Sequence, residues 1–155
     1  MGNNYRFSPI EDEKTFRKVL IYIQAELDKL SNKLFGKSLP ITTLKVFPHY
    51  PEEYGYLMNI INKIGERAAI SSVTSHYVKV NEMIGGSKIK YIGVRIVDPY
   101  RLQAGCGDYE IEDYEDFKKK NLGKSIFVRS FREDMLELWH PDFDVLGYVI
   151  QKDED

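Results

Sequence analysis

Several residue types and patterns are scarce in this sequence, and each scarcity excludes a class of protein. The 155 residues include one cysteine, Cys106, so the chain has no disulfide of its own and no sign of an oxidising compartment. No apolar run approaches the roughly 20 residues of a membrane-spanning helix, and the first residues lack the apolar stretch of a signal peptide. We therefore expect a cytoplasmic protein with no membrane partner.

An excess of basic charge is also absent. The sequence has 22 basic and 24 acidic residues and a formal net charge of −2, so it lacks the overall charge of a dedicated nucleic-acid-binding protein. A nucleic-acid partner would need a local basic patch. Glutamine is limited to positions 24, 103 and 151 while Lys, Glu and Ile are plentiful, and this composition favours a thermophilic source.

The composition that remains is typical of a globular protein. Hydrophobic residues make up 43% of the chain and charged residues 30%, which argues against disorder. A chain of this length buries about 70% of its unfolded surface and fits one domain, 1–155. No linker, internal repeat or low-complexity segment divides it.

The segment 8–35 predicts an N-terminal amphipathic helix. Ser8 and Glu11 form a capping-box pattern around Pro9, and Gly36 follows the last helical residue. Apolar residues recur at spacings of three and four, as on one face of a helix: Phe16, Val19, Leu20, Ile23, Leu27, Leu30 and Leu34. Beyond it, residues 41–47 predict a strand, and Pro51 opens a second helix that ends near Gly65.

A central hairpin, 73–97, gives the strongest strand signal. A three-residue loop, Gly85-Gly86-Ser87, places the apolar residues of both arms on one face, whereas a two-residue turn mixes polar and apolar residues on both faces. The three-residue loop therefore predicts the register. Its apolar pairs are Val80 with Ile92 and Val78 with Val94.

The second half of the chain has weaker patterns. Residues 98–112 keep neither the helical nor the strand period of apolar residues and predict an irregular loop. A short helix is predicted to follow after Asp113. The capping-box pattern at 130–133 and apolar residues at helical spacing predict a further helix at 131–139. The remaining predicted elements are a strand at 126–128, a last strand at 145–150 and an acidic tail, 152–155.

These elements predict an α+β fold in one domain, in the order α-β-α-β-β-α-β-α-β. We expect a mainly antiparallel sheet with the helices packed on one face. The middle six elements have the order of a ferredoxin-like βαββαβ core, which is one form that such a sheet takes. An analogy of element order carries no function with it.

A polar cluster at the end of the hairpin is the first candidate site. Mixed charges and a tyrosine occur where a strand runs into a long loop, and loops on a rigid scaffold carry binding disproportionately. A ligand site here would take a polar small molecule, and the alternative is a solvated salt-bridge network. The residues concerned are Arg95, Asp98, Tyr100, Arg101 and Asp108.

One face of the hairpin is an alternative, nucleic-acid site. Aromatic and basic side chains alternate there as they do on sheets that stack RNA bases. The residues are Tyr77, Lys79, Tyr91 and Arg95. The second arm lacks the glycine-aromatic signature of the commonest RNA-binding sheets, and this lack makes a nucleic-acid partner the weaker interpretation.

Three further patterns are ambiguous. The Gly-Cys-Gly at 105–107 resembles part of a nucleotide-binding turn but lacks a third glycine and a following helix. Cys106 is a potential nucleophile, or simply a buried small side chain. His140, Asp142 and Asp144 are potential metal ligands within five positions, or an ordinary turn. We assign no catalytic residue, cofactor or metal.

The function indicated by these observations is a small non-catalytic binding or assembly domain. Self-association through a strand edge or the first helix is the partner expected for an assembly role. Two alternatives stay open: an enzyme acting on a polar small molecule at the 95–108 loop, and an RNA-binding sheet face.

Overall fold

The computed structural model describes residues 5–153, which form three helices and eight strands. The helices are α1 (Glu13–Phe35), α2 (Pro51–Ile64) and α3 (Tyr114–Asn121). The strands are β1 (Ile41–Val46), β2 (Glu66–Arg67), β3 (Ser75–Ile84), β4 (Ser87–Arg95), β5 (Gly105–Ile111), β6 (Val128–Arg132), β7 (Met135–Leu138) and β8 (Val145–Gln151). None of the helices in this part of the chain has the length and apolar character needed to cross a bilayer.

All eight strands form one sheet, in the order β2-β3-β4-β1-β5-β8-β7-β6. The predicted α+β class with a mainly antiparallel sheet is confirmed. The chain passes twice through the same path, strand-helix-strand-strand-strand, and each time the last strand lies beside the first and parallel to it. The two halves meet at an antiparallel pairing of β1 with β5. The sheet is therefore a duplicated topology and not a four-stranded ferredoxin-like core.

The first helix begins later than predicted. Asp12 is the N-cap residue, and its carboxylate accepts a hydrogen bond from the amide of Thr15 at 2.7 Å. Ser8 belongs instead to a buried contact, in which its hydroxyl lies 2.6 Å from Nδ1 of His49. The helix start predicted from the capping-box pattern at residues 8–11 was wrong by about one turn, because an acidic residue that follows the pattern, Asp12, takes the N-cap position. Gly36 ends the helix as predicted.

One face of the sheet is covered by the helices. Helix α1 packs against β1, β5 and β8, and α2 packs against β3 and β4. The apolar stripe of α1 is buried against alternate strand residues, including Leu44, Val78 and Ile92, which are completely inaccessible to solvent. Burial of this stripe stabilises the fold by about 25 cal/mol for each Å² of apolar surface removed from water.

The hairpin of β3 and β4 has the predicted faces but another register. Val78 pairs with Ile92 and His76 with Val94, two positions away from the predicted pairing. The turn has two residues, Gly85 and Gly86, both with positive φ as tight hairpin turns require. An irregularity between Lys79 and Glu82 then shifts the register and returns the apolar residues to one face.

The predicted irregular loop at 98–112 was wrong beyond its first residues. Residues 105–111 form β5, which lies at the centre of the sheet between β1 and β8. Gly105, Gly107 and Tyr109 face the helices, and Cys106 and Asp108 face the other way. The glycines carry no apolar side chain, so the period of two was not visible as an alternation of hydrophobicity.

The predicted helix at 131–139 was also wrong. The segment contributes to β6 and β7, an antiparallel hairpin in which Val128 pairs with Leu138. Leu136 and Leu138 face the core with a spacing of two, and this alternation prevails over the capping-box pattern at 130–133. A nine-residue segment carries too few turns for the helical period to be distinctive.

Candidate functional site

The face of the sheet opposite the helices is open and carries a cavity of about 630 Å³. Side chains of β1, β3, β4, β5 and β8 form its floor, and the loop after β4 and the β6–β7 hairpin form its walls. A volume of this size is in the range of small-molecule sites. The floor and walls include Lys45, Phe47, Ser75, Tyr77, Tyr91, Arg95, Arg101, Cys106, Asp108, Glu110, Phe131, Arg132 and Tyr148.

The ring of Tyr77 forms part of the cavity floor because its neighbour on β4 is a glycine. Gly93 pairs with Tyr77, and a Cβ at residue 93 would lie 2.6 Å from the ring. Any other residue would therefore push the ring away from the sheet. The pairing fixes an aromatic surface beside Lys45, whose ammonium is 5.4 Å from the ring centroid.

Lys45 places a positive charge at the centre of the floor. Its ammonium donates a hydrogen bond to the hydroxyl of Ser75 at 3.1 Å. Burial by itself lowers the pKa of Lys45, but the acidic groups of Cys106, Tyr77 and Asp108 together outweigh burial and raise it. Lys45 is therefore a cation at every physiological pH.

Asp108 is an ionisable group of the cavity whose pKa is raised towards neutral pH. Burial raises its pKa to about 6, opposed by Lys45 and reinforced by Glu110. The carboxyl group therefore changes its charge slightly below neutral pH. Perturbed carboxyl groups of this kind are concentrated at functional sites.

Cys106 lies in the floor as a buried structural side chain. Its thiol is 2% exposed and packs with Phe47 and Leu146. Burial raises its pKa to about 11, so the thiolate that a nucleophile needs is not formed at neutral pH. Its two flanking glycines face α1, and they serve helix packing and not a nucleotide-binding turn.

The predicted polar cluster is brought together in part. Asp98 lies 3.6 Å from Arg95 and 3.7 Å from Arg101, so one carboxylate holds both guanidinium groups at the cavity wall. Asp108 lines the same cavity from β5. The backbone amide of Tyr100 donates to Asp98 at 3.0 Å, but its side chain does not join the cluster, because it is 91% exposed and outside the lining.

The predicted nucleic-acid residues coincide largely with the same cavity. Tyr77, Tyr91 and Arg95 line it, whereas Lys79 is exposed on the same strand beyond the lining. The two candidate sites predicted from the sequence are therefore one place in the fold. Pairing of β4 with β1, which the sequence does not show, joins them.

Sequence reasoning missed Lys45, Phe131 and Tyr148. In β1 the period of two puts Lys45 on the face opposite Leu44 and Val46, and this signal was available once the strand had been recognised. The other two were hidden. Phe131 was assigned to a helix, and Tyr148 reaches the cavity only because β8 inserts beside β5, where its hydroxyl donates to Glu137 at 2.8 Å.

The potential metal ligands in the loop between β7 and β8 form no cluster. The amide of Asp142 donates to Nδ1 of His140 at 3.1 Å, as in an ordinary turn, and Asp144 lies 3.5 Å from Arg6. No group of three or more His, Cys, Asp or Glu side chains suited to a metal ion occurs within residues 5–153.

Comparisons with known proteins identify the fold alone. No protein-family model matches the chain, and no curated protein does. A solved structure described as Structural Genomics, Protein EC4020 is similar, with a TM-score of 0.63 and 13% sequence identity over 97% of this chain and 92% of that one. At such low identity the similarity establishes a shared fold over nearly the whole chain and carries no function.

Proposed function

We propose that the protein is a non-catalytic binding domain for a small organic molecule held in the cavity on the open face of the sheet. The carrying observation is the cavity itself, about 630 Å³ in volume and built from strands at the centre of the sheet. Aromatic rings supply contact area there, and a few ionisable groups supply orientation, as is usual for small-molecule sites.

The groups around the cavity favour binding over catalysis. Cys106 is buried in the floor and protonated at neutral pH, so it supplies no nucleophile. None of the three histidines, at 49, 76 and 140, is among the lining residues. The free thiol also agrees with the cytoplasmic setting expected from the composition.

A neutral aromatic dye, N-phenylnaphthylamine, tests this proposal directly. Its fluorescence rises when it leaves water for an apolar site, so a titration gives a dissociation constant. We expect saturable binding to one site per chain, weakened at least about fivefold by Tyr77→Ala and by Phe131→Ala, since each substitution removes an aromatic contact worth about 1 kcal/mol. Phe131 is 53% exposed, so its substitution leaves the fold intact.

Tyr56→Ala is the matched control, because Tyr56 is a half-exposed tyrosine of α2 on the opposite face of the sheet. It should leave dye binding unchanged. Absence of saturable binding, or equal loss in the control, would contradict the proposal. A thermal-shift screen of metabolites then identifies the physiological ligand by its stabilisation of the folded state.

An enzyme acting on a polar small molecule is the second candidate, and the pKa of Asp108 favours it. A carboxyl group with a pKa of about 6 is suited to general acid-base catalysis near neutral pH. The two functions differ in the fate of the ligand. A ligand recovered chemically unchanged after incubation supports a binding domain, whereas conversion that Asp108→Asn abolishes supports an enzyme.

The RNA-binding alternative has weaker support from the geometry. Tyr77 lies flat over Gly93 within a concave cavity, and the carboxylates of Asp108 and Glu110 line the same surface. Acidic groups at this position oppose a phosphate backbone. Retention on single-stranded RNA at about 50 mM salt, weakening steeply as salt is raised, would restore this alternative.

Self-association remains a prediction for solution measurement. The edge strands of the sheet are β2, which has two residues, and β6, whose pairing with β7 is irregular. Short and irregular edges are poor templates for adding a strand from another chain. Light scattering at micromolar concentration distinguishes an oligomer from the 18.1 kDa monomer.

A further inference from the structure

The charged groups around the cavity are unevenly distributed, and Lys45 is the cation at the centre of its floor. The ammonium of Lys45 donates a hydrogen bond to Ser75 at 3.1 Å, also interacts with the hydroxyl of Tyr77, and takes part in none of the ion pairs found within residues 5–153. Other half-buried cations of the sheet do have a carboxylate partner; the ammonium of Lys90 lies 2.8 Å from Glu110. A half-buried ammonium without a carboxylate partner keeps donors available for a ligand.

Two further cations lie at the same end of the cavity. Arg95 is two residues beyond Gly93, the partner of Lys45 on β4, so both side chains project from the same face one pleat apart. The guanidinium of Arg101 is 5.5 Å from the ring centroid of Phe47, two residues beyond Lys45. Arg95 and Arg101 share the carboxylate of Asp98, and two cations on one anion leave a net positive charge there.

The acidic groups lie towards the other end. Cys106 is opposite Lys45 on β5, and Asp108 and Glu110 follow at successive pleats away from the arginines. Glu110 is already paired with Lys90. Asp108, which also faces Arg132, and Asp153 are therefore the lining carboxylates that oppose an anion in the cavity.

Aromatic surface adjoins this cationic end. Tyr77 covers Gly93 next to Lys45, and further along the cavity the ring of Phe131 packs edge-to-face on that of Tyr148, the partner of Asp108 on β8, at a centroid distance of 5.3 Å. A planar organic body can stack on Tyr77 while a charged group reaches Lys45. The positive charge and the aromatic surface thus define the two ends of one ligand.

We infer that the cavity binds an organic anion, whose carboxylate, sulfonate or phosphate group lies between Lys45, Arg95 and Arg101 and whose aromatic body packs against Tyr77 and Phe131. This inference rests on the proposed function, because it assigns a charge to the ligand of the same cavity. Charge-assisted hydrogen bonds from ammonium and guanidinium groups are the interaction that selects such a ligand.

Two dyes that differ in one group test the inference. Anilinonaphthalene sulfonate has the aromatic body of N-phenylnaphthylamine and an added sulfonate. We expect the wild-type protein to bind the sulfonate dye about tenfold more tightly than the neutral dye at pH 7.5, as one charge-assisted hydrogen bond provides. Lys45→Met should remove this advantage and leave the affinity for the neutral dye within about twofold.

Lys79→Met is the matched control, since Lys79 is exposed on the same face of the sheet outside the lining. It should leave both affinities unchanged. Arg101→Ala is a second test variant, at the wall of the cavity, and it should weaken the sulfonate dye selectively even if Lys45→Met does not fold. Near-ultraviolet circular dichroism verifies that each variant is folded, because the sulfonate dye also binds loosely packed states.

The outcomes separate the two proposals. Equal affinities for the two dyes in the wild-type protein, or a sulfonate advantage that survives both substitutions, would overturn the anion inference and leave the cavity a binding site. Failure of the folded protein to bind either dye would overturn the proposed function as well. A sulfonate advantage lost only in Lys45→Met and Arg101→Ala establishes the inference.

Discussion

The two faces of strand β5 differ sharply in how their side chains are packed. On the helix-covered face, Gly105 and Gly107 let α1 approach closely, and Tyr109 is fully buried with its hydroxyl donating to the carbonyl of Leu27 at 2.6 Å. On the open face, Cys106 and Asp108 lie between neighbouring strands and line the cavity. No helix residue is among the described residues of this lining.

The two faces differ in whether space is left between their side chains. The covered face is filled by complementary shapes, so a change of volume there disturbs the packing. The open face encloses ionisable groups against solvent without filling the space between them. Burial then raises the pKa of Asp108 while the cavity leaves the group accessible to a ligand.

The largest expected contrast comes from removing one phenylalanine on each face. Phe16 of α1 is fully buried on the covered face, whereas Phe131 at the cavity wall is 53% exposed. We expect Phe16→Ala to lower the free energy of unfolding by about 3 to 5 kcal/mol, and Phe131→Ala to lower it by less than about 1 kcal/mol. Urea denaturation measures both. Similar losses for the two variants would contradict the comparison.

Adding volume to the covered face is expected to have the next largest effect. A Cβ at Gly107 would lie 2.4 Å from Leu27 and 2.5 Å from the backbone oxygen of Thr43. Gly107→Val should therefore destabilise the protein by about 3 kcal/mol, since the helix and the strand cannot both yield without repacking. Thermal or urea denaturation provides the measurement.

Gly55 supplies the control for that experiment. It lies within α2, and a Cβ there would meet no atom within 4 Å. Gly55→Ala should stabilise the protein by about 1 kcal/mol through the higher helix propensity of alanine. If both substitutions changed stability in the same direction, the close approach of α1 to β5 would not be the cause.

Because Asp108 lies on the open face, we expect the free energy of unfolding to depend on pH through this group. The folded state raises the pKa of Asp108 from 3.8 to about 6, so the contribution of this group to stability is present below pH 3.8 and is lost as the pH rises through 6. Asp108→Asn, which stays neutral, should gain up to about 3 kcal/mol relative to wild type between pH 3.5 and pH 7.5.

Urea denaturation of both proteins at the two pH values gives this difference. Asp134→Asn is the control, because Asp134 is an exposed residue of the β6–β7 turn. Its difference from wild type should be the same at both pH values. A pH-independent difference for Asp108→Asn would mean that the carboxyl group is hydrated like one at the surface.

The smallest expected effect is on the affinity for the sulfonate dye. Protonation of Asp108 removes one opposing charge at the cavity floor, so lowering the pH from 7.5 to 5.5 should tighten binding about threefold. The charged groups that act on Asp108 are Lys45 from β1, Glu110 from β5 and Arg132 from β6, and Tyr148 is its pairing partner on β8. Of these, Lys45, whose pKa is raised, stays positive over the whole range.

Fluorescence titration at the two pH values measures the effect. Asp108→Asn should bind the dye with an affinity that does not vary between them, and the neutral dye should show no variation in either protein. An increase in affinity that persisted in Asp108→Asn would assign the titration to another group.

The first half of the fold was predictable because its patterns are local. The stripe of α1, the boundaries of α2 and the two faces of the β3–β4 hairpin follow from spacings that the chain carries within each segment. The hairpin register was not predictable, because the irregularity between Lys79 and Glu82 shifts it by a step that has no sequence signature.

The candidate site was predictable only as separate pieces. The sequence predicts one polar cluster with Arg95, Arg101 and Asp108 and a separate group with Tyr77 and Tyr91. The two groups lie in one cavity only because β4 pairs with β1 and β1 pairs with β5. Lys45 was overlooked since a lysine in a strand has no distinctive neighbours along the chain. Its environment is made by residues about 30 and 60 positions away, Ser75 and Cys106.

By itself, the sequence determined the three helices that the structure contains, the hairpin faces and the class of the fold, because hydrophobic periodicity acts over a few residues. Tertiary structure decided that Gly105–Ile111 is a central strand and that the two halves join at β1 and β5. It also decided that Lys45, Asp108 and Tyr77 share a cavity. The physical reason is that strand pairing and burial depend on contacts between distant segments, and the charge of a group such as Asp108 depends on what those contacts exclude.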